Sequence, residues 1–374
     1  MVWGDSELSW DLVGLASERI QNNDRLWNAI DQRTGIGNAY LMHSLRNHTR
    51  ALYSFRILLQ RSRRFETTDP RDRIFAVLGL PTTDASTDKG LLFLEPDYAL
   101  SVSELYLRVA RRIIEKEQSL GILSAVQHRA DIEEEEGIPT WVPRWHRFSI
   151  NILAGVDGNS HSVATGLPNH EFKLKHKDPG SLMVKGLEIG TVSNLTDTMS
   201  QQDFQTAEVH DPTSNVWSQR VECLFGQPTE SDLKALAWTM TAGKDWADEP
   251  IHDPASHLAD FIAWWSKVSI HAPDIGARST AEIGNAERFL VAASDCWDRR
   301  LFVTENGYVG LGPEALRAGD VVCVISGGPV LYILRKKKEH YFLVGESYVY
   351  GMMGRESAQK WREGGLQLKE FELR

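Results

Sequence analysis

Cysteine is scarce. The chain has three in 374 residues, Cys223, Cys296 and Cys323, too few and too scattered for a disulfide framework or a zinc site. That scarcity fits a reducing compartment. Long apolar runs are missing too. Nothing approaches the ~20 residues a bilayer-spanning helix needs, so no membrane association is expected. The opening Met1-Val-Trp-Gly-Asp-Ser-Glu7 lacks the basic and apolar regions of a signal peptide, and a cytoplasmic location is the expectation. Basic charge is in deficit, 41 Lys and Arg against 51 Asp and Glu, which argues against a nucleic-acid partner. Also absent are a glycine-rich phosphate loop, HExxH, Gly-x-Ser-x-Gly and CxxC. No metal and no cofactor are therefore expected. His252 and His257 are five apart, the wrong spacing for one helix face. The acidic run 131–136 reads as a solvated loop, because a cation site needs spaced, converging ligands.

Tryptophan, by contrast, is abundant. Its twelve copies either fill cores between helices or line a pocket, since a buried indole N–H wants a partner. Residues 8–64 read as helical, with Leu8, Leu12 and Leu15 at helical spacing and a second helix over 38–63. Ser101-Val-Ser-Glu104 has capping-box spacing and opens a further helix. Ile138-Pro-Thr-Trp-Val-Pro-Arg-Trp145 is extended and rigid, with two large apolar anchors. Residues 182–192 read as a strand, a glycine bend and a second strand. Helical patterns return over 215–224, 232–241, 254–268 and from 283. From 300 to 350 the pattern is short strands separated by turns, including the tight hairpin signal Glu305-Asn-Gly307. The expected fold class is α+β, with helical N-terminal and central regions packed with a small C-terminal antiparallel β-barrel. The expected divisions are 1–150 (helical), 151–298 (mixed), 299–356 (barrel) and 357–374 (polar tail).

The most compact signal is Thr68-Asp69-Pro70-Arg71-Asp72-Arg73-Ile74-Phe75-Ala76-Val77-Leu78-Gly79-Leu80-Pro81. Asp69 is placed to cap a helix, Pro70 suits its first turn, and Gly79 with Pro81 ends it. Three charges beside an apolar face suggest an ion-pair node, more often structural than catalytic. Arg71 and Asp72 are nonetheless catalytic candidates, together with His146, Glu346 and Tyr348. A desolvated Glu346 at a barrel mouth would serve as a general base. Trp141, Arg144 and Trp145 are the ligand-pocket candidates, aromatic faces beside a cation.

Four blocks in order resemble one family. They are the Asp-Pro-Arg-Asp-Arg stretch, Pro139-Thr-Trp-Val-Pro-Arg-Trp145, Arg300-Leu-Phe-Val-Thr-Glu-Asn-Gly307 and Tyr341-Phe-Leu-Val-Gly-Glu-Ser-Tyr-Val-Tyr350. Together they resemble the region that follows the HET domain in fungal heterokaryon-incompatibility proteins. Arg144 stands where the family has Asp, and Gly354-Arg-Glu356 departs from its Gly-Glu. The resemblance implies that a cell-death HET domain would precede Met1, so this sequence carries only the later region. It implies a protein-interaction or regulatory module with protein partners. The alternative reading is a stand-alone enzyme of fungal secondary metabolism, a cyclase working by positioning on a small apolar or aromatic metabolite. Whether the protein is an enzyme stays open at this point.

Overall fold

The computed structural model describes residues 2–3, 6–21, 34–47, 53–85, 90–129, 132, 137–147, 152–154, 167, 172–175, 177–205, 216–268 and 284–374. Most of the acidic run and the Gly/Ser-rich stretch 155–166 lie outside these residues. The chain divides into two units, 1–117 with 144–149, and 118–143 with 150–374.

The first unit opens on a two-residue ladder, β1 (Val2–Trp3) with β2 (Ser6–Glu7). Helices α1 (Trp10–Gln21) and α2 (Thr34–Asn47) then pack together at Gly14, where a Cβ would fall 2.0 Å from the His43 ring. The expected helix over 38–63 is two helices. Ser54 starts a new one, α3 (Phe55–Arg61), by accepting the Ile57 amide. The helix expected after Asp69 is one turn, α4 (Asp72–Phe75), continued by non-helical turns. Asp69 is not its N-cap, which is Arg71; the Asp69 side chain instead closes the turn before the helix by accepting the Arg71 amide at 2.9 Å. Helix α5 (Val102–Glu117) begins with the expected box, the Ser101 amide donating to Glu104 and the Glu104 amide to Ser101. Its Leu105, Tyr106, Val109, Ala110, Ile113 and Ile114 form the buried stripe.

In the second unit, β3 (Phe172–Leu174) pairs with β4 (Leu182–Leu195). Helices α6 (Gln201–Gln205), α7 (Val216–Phe225), α8 (Glu230–Met240), α9 (Pro254–Val268) and α10 (Ala286–Ala292) follow. Then come β5 (Arg299–Thr304), β6 (Val309–Pro313), β7 (Val321–Ile325), β8 (Leu331–Lys337), β9 (His340–Val349), α11 (Glu356–Arg362) and β10 (Leu368–Leu373). The ladders β4–β5, β5–β6, β6–β9, β9–β8, β8–β7 and β7–β4 close a ring. Closure removes the exposed edges of those strands.

Two details of the ring differ from the sequence reading. Residues 182–195 are one strand, kept continuous by irregularities at Glu188/Gly190 and Val192/Asn194. Gly186 is not a bend: a Cβ there would fall 2.3 Å from the Val324 carbonyl oxygen, so glycine permits close strand approach. Residues 368–373, read as polar tail, form β10 and pair with β4 from Leu368↔Leu187 to Leu373↔Leu182. The predicted 305–307 hairpin holds, with Gly307 at φ +83°. Asn306 fastens it, donating to the Ile189 carbonyl at 2.8 Å.

Two cores result. One fills the ring, with Leu187, Phe302, Val324, Ile333 and Val344. The other joins α7–α10 and carries Trp217, Trp264 and Trp265, each 1% exposed. The abundant tryptophan there fills core.

Candidate functional site

Glu346 sits on β9 beside an irregularity in its pairing with β8. It is 1% exposed. One oxygen accepts from the Arg299 guanidinium at 2.8 Å and from the Leu153 amide at 2.6 Å, and the other accepts from the Ala154 amide at 3.4 Å. Burial pushes its carboxyl above the ordinary range, and Arg299 and the amides pull it partly back. Both oxygens are thus occupied, and Arg299 is itself 1% exposed. This arrangement ties β5, β9 and the 152–154 segment together. Tyr348, two residues on, is also buried and packs against Gly243, where a Cβ would lie 3.0 Å from the ring. Burial is the main reason that its phenol is pushed up.

The Trp-Pro segment splits between the two units. Trp141 belongs to the second, where its indole donates to the Gly180 carbonyl at 2.8 Å. Arg144, Trp145 and His146 belong to the first. The Arg144 carbonyl accepts from Arg63 at 3.0 Å. Trp145 meets Tyr106 edge-on at 5.1 Å, and His146 lies 5.6 Å from the same ring. Trp141, Arg144 and Trp145 are all buried.

At the Asp-Pro-Arg-Asp-Arg stretch, Arg71 grips both oxygens of Asp69 and donates to the Tyr98 carbonyl at 2.6 Å. Those bonds hold the Asp69 carboxyl below its usual range. Asp72 takes no arginine; it accepts the Tyr98 hydroxyl. The node is half-exposed, so Asp72→Ala loses one hydrogen bond and strands no buried charge. It is expected to lower Tm by no more than about 2–4 °C, read by thermal unfolding.

Sequence reading missed two cavities. One is an apolar groove of about 350 Å³ in the first unit, with Leu41, Leu58 and Val77 along it and Ser62, Thr67, Asp72 and Arg73 as polar members. No motif marks it; only the charge cluster of Arg71, Asp72 and Arg73 pointed nearby. The second, about 120 Å³, is lined by His252, His257, Asp260 and Arg288. His252 precedes α9, so helical spacing does not govern the two histidines. Within the cavity Arg288 donates to Asp260 at 2.7 Å. Burial lowers the His257 pKa, and the ring bonds the Ala237 carbonyl at 3.3 Å. Among the described residues no cluster of His, Cys, Asp and Glu fits a metal ion. No described helix is long and apolar enough to cross a membrane.

Residues 276–366 match the Het-6 beta-barrel domain, a stretch that spans β5 to β9. This stretch of the chain is similar to a Het-6 beta-barrel. It is also 24% identical over 345 residues to heterokaryon incompatibility protein 6, OR allele, of Neurospora crassa, a match covering 78% of this chain and 49% of that protein. The chain thus spans about half the length of this curated relative. No solved structure matches it. The likeness to heterokaryon-incompatibility proteins read from the four sequence blocks is borne out. Arg299, Glu346 and Tyr348 fall inside the Het-6 barrel match, whereas β4, which completes the ring, lies outside it.

Proposed function

We propose that this chain is a HET-like binding module that acts by engaging another protein in fungal self/non-self recognition. One observation carries the reading. Leu12 and Leu15 are 62% and 55% exposed on one side of α1, and Leu8, just before the helix, is 43% exposed, while Gly14 and Ser17 are buried on the other side. Apolar side chains that recur at helical spacing and stay uncovered are a docking face. Exposed Glu7 and Asp11 border it, so the partner presents an apolar helix face edged with Lys or Arg. The engaged state of Glu346 supports the same reading, because the best sequence candidate for a general base is committed to Arg299 and two amides.

The test is a pairing assay between strains that differ at this locus. The double variant Leu12→Glu, Leu15→Glu is expected to abolish the incompatibility reaction with its melting temperature unchanged, since both side chains are exposed. An unaltered reaction sinks the proposal. A second reading, an enzyme acting on a small apolar or aromatic metabolite, draws on the groove of about 350 Å³. A deletion strain that keeps normal incompatibility but loses a metabolite would favour it.

A further inference from the structure

The groove of the first unit has an electrostatic feature its apolar lining does not explain. Among the described residues Arg73 is its only cationic lining residue. That guanidinium donates through Nη1 to the carbonyls of Arg63 at 3.2 Å and Ser62 at 3.4 Å, and its buried Nε has no partner. Two other arginines of the unit have carboxylates, Arg56 with Glu117 at 2.8 Å and Arg71 with Asp69 at 2.7 Å. Arg73 has none in ion-pair range among the described residues. Asp72, its neighbour at the groove, is directed to the Tyr98 hydroxyl. A second guanidinium, that of Arg63, stands close enough for the two charges to repel. Arg63 is pushed down to about 10, mainly by burial, and Arg73 adds to the effect. Thr67, also at the groove, has a buried hydroxyl without a partner.

A half-buried cation beside a like charge favours an arriving anion. A carboxylate matches the planar guanidinium fork. The apolar part of the wall, which includes Leu41, Leu58 and Val77, gains from covering by hydrocarbon and offers few partners to peptide groups. The volume of about 350 Å³ falls in the ~300–1,000 Å³ range of small-molecule sites. We propose that this groove binds an apolar monocarboxylate, with the carboxylate on Arg73 and the hydrocarbon body along Leu41, Leu58 and Val77. The site is separate from the α1 docking face, and its test is independent of the incompatibility assay.

Calorimetric titration of the full chain with decanoate, decanol and decyltrimethylammonium decides it. Decanoate is expected to bind more tightly than the other two probes. Arg73→Gln should weaken decanoate by about tenfold or more and leave decanol unchanged, as expected for a lost charge-assisted pair. Arg73→Lys should keep most of the affinity. Ala76 lines the groove and is exposed, so Ala76→Trp fills the space at little cost to folding and should abolish decanoate binding. The proposal is overturned if decanoate does not bind the wild type. Equal affinity for decanoate and decanol overturns it as well, as does unchanged decanoate binding in Ala76→Trp.

Discussion

Replacing Glu346 by alanine is expected to cost the second unit about 3–5 kcal/mol of stability, the usual penalty for stranding one member of a buried ion pair. Arg299 would remain 1% exposed with its carboxylate gone. The Leu153 amide would lose its 2.6 Å acceptor, and the segment it anchors would lose its tie to β9. Urea unfolding followed by tryptophan fluorescence measures the loss. The mechanism is tested by the double replacement Arg299→Met, Glu346→Leu. Removing both charges should restore most of the stability. A double variant as unstable as Glu346→Ala would show that the charge pair is not the cause. The site also has a pH signature. Its folded carboxyl lies above the ordinary 4.5, so the folded state holds this proton more tightly than the unfolded chain. The stabilising contribution is full below 4.5 and is lost as pH rises through the folded value.

Trp264→Ala is the second large effect, about 3–5 kcal/mol from lost burial and the cavity left behind. Trp264 is 1% exposed and sits among Trp217 at 5.0 Å and Phe289 at 5.1 Å, both ring-to-ring. Its indole N–H is buried without a partner. Trp264→Phe removes that unsatisfied donor while keeping much of the ring, so it should cost far less than the alanine change. Equal losses for the two variants, read by urea unfolding, would contradict this account. The comparison separates a tryptophan kept for its volume from one kept for its polar edge.

The sequence revealed some elements of this fold and concealed others, for identifiable reasons. Strands β5 to β9 were legible because turn residues punctuate them, as Gly307 does at φ +83°. Strand β4 was legible as strand but not as one strand. A glycine in a strand reads as a bend, and only the nearby Val324 carbonyl explains Gly186. Strand β10 was hidden by charge. Lys369, Glu370 and Glu372 suggest a solvated tail, although Phe371 and Leu373 are buried in period-two order. The α1 periodicity gave the helix correctly and could not say that its apolar side stays exposed. Candidate sites were less legible still. Glu346 was singled out from its strand, but its partner Arg299 is on another strand and its amide donors lie in the 152–154 segment. The groove draws on α2, α3 and the turns after Phe65, and such convergence has no sequence period.

The closure of the ring has a kinetic side. β4 pairs with β5 at Leu195↔Phe302, so the chain between them, with α6 to α10, leaves one stave and returns on the next. Hairpins β5–β6 and β8–β9 are local and cheap to form. The β4–β5 and β4–β7 ladders join residues far apart in the chain and carry the entropy of closing that long loop. They are the pairings expected to form last, and synthesis must pass β9 before every stave of the ring exists. The stretch that matches the Het-6 barrel, 276–366, contains neither β4 nor β10. The stretch matched to the barrel domain is therefore smaller than the closed ring.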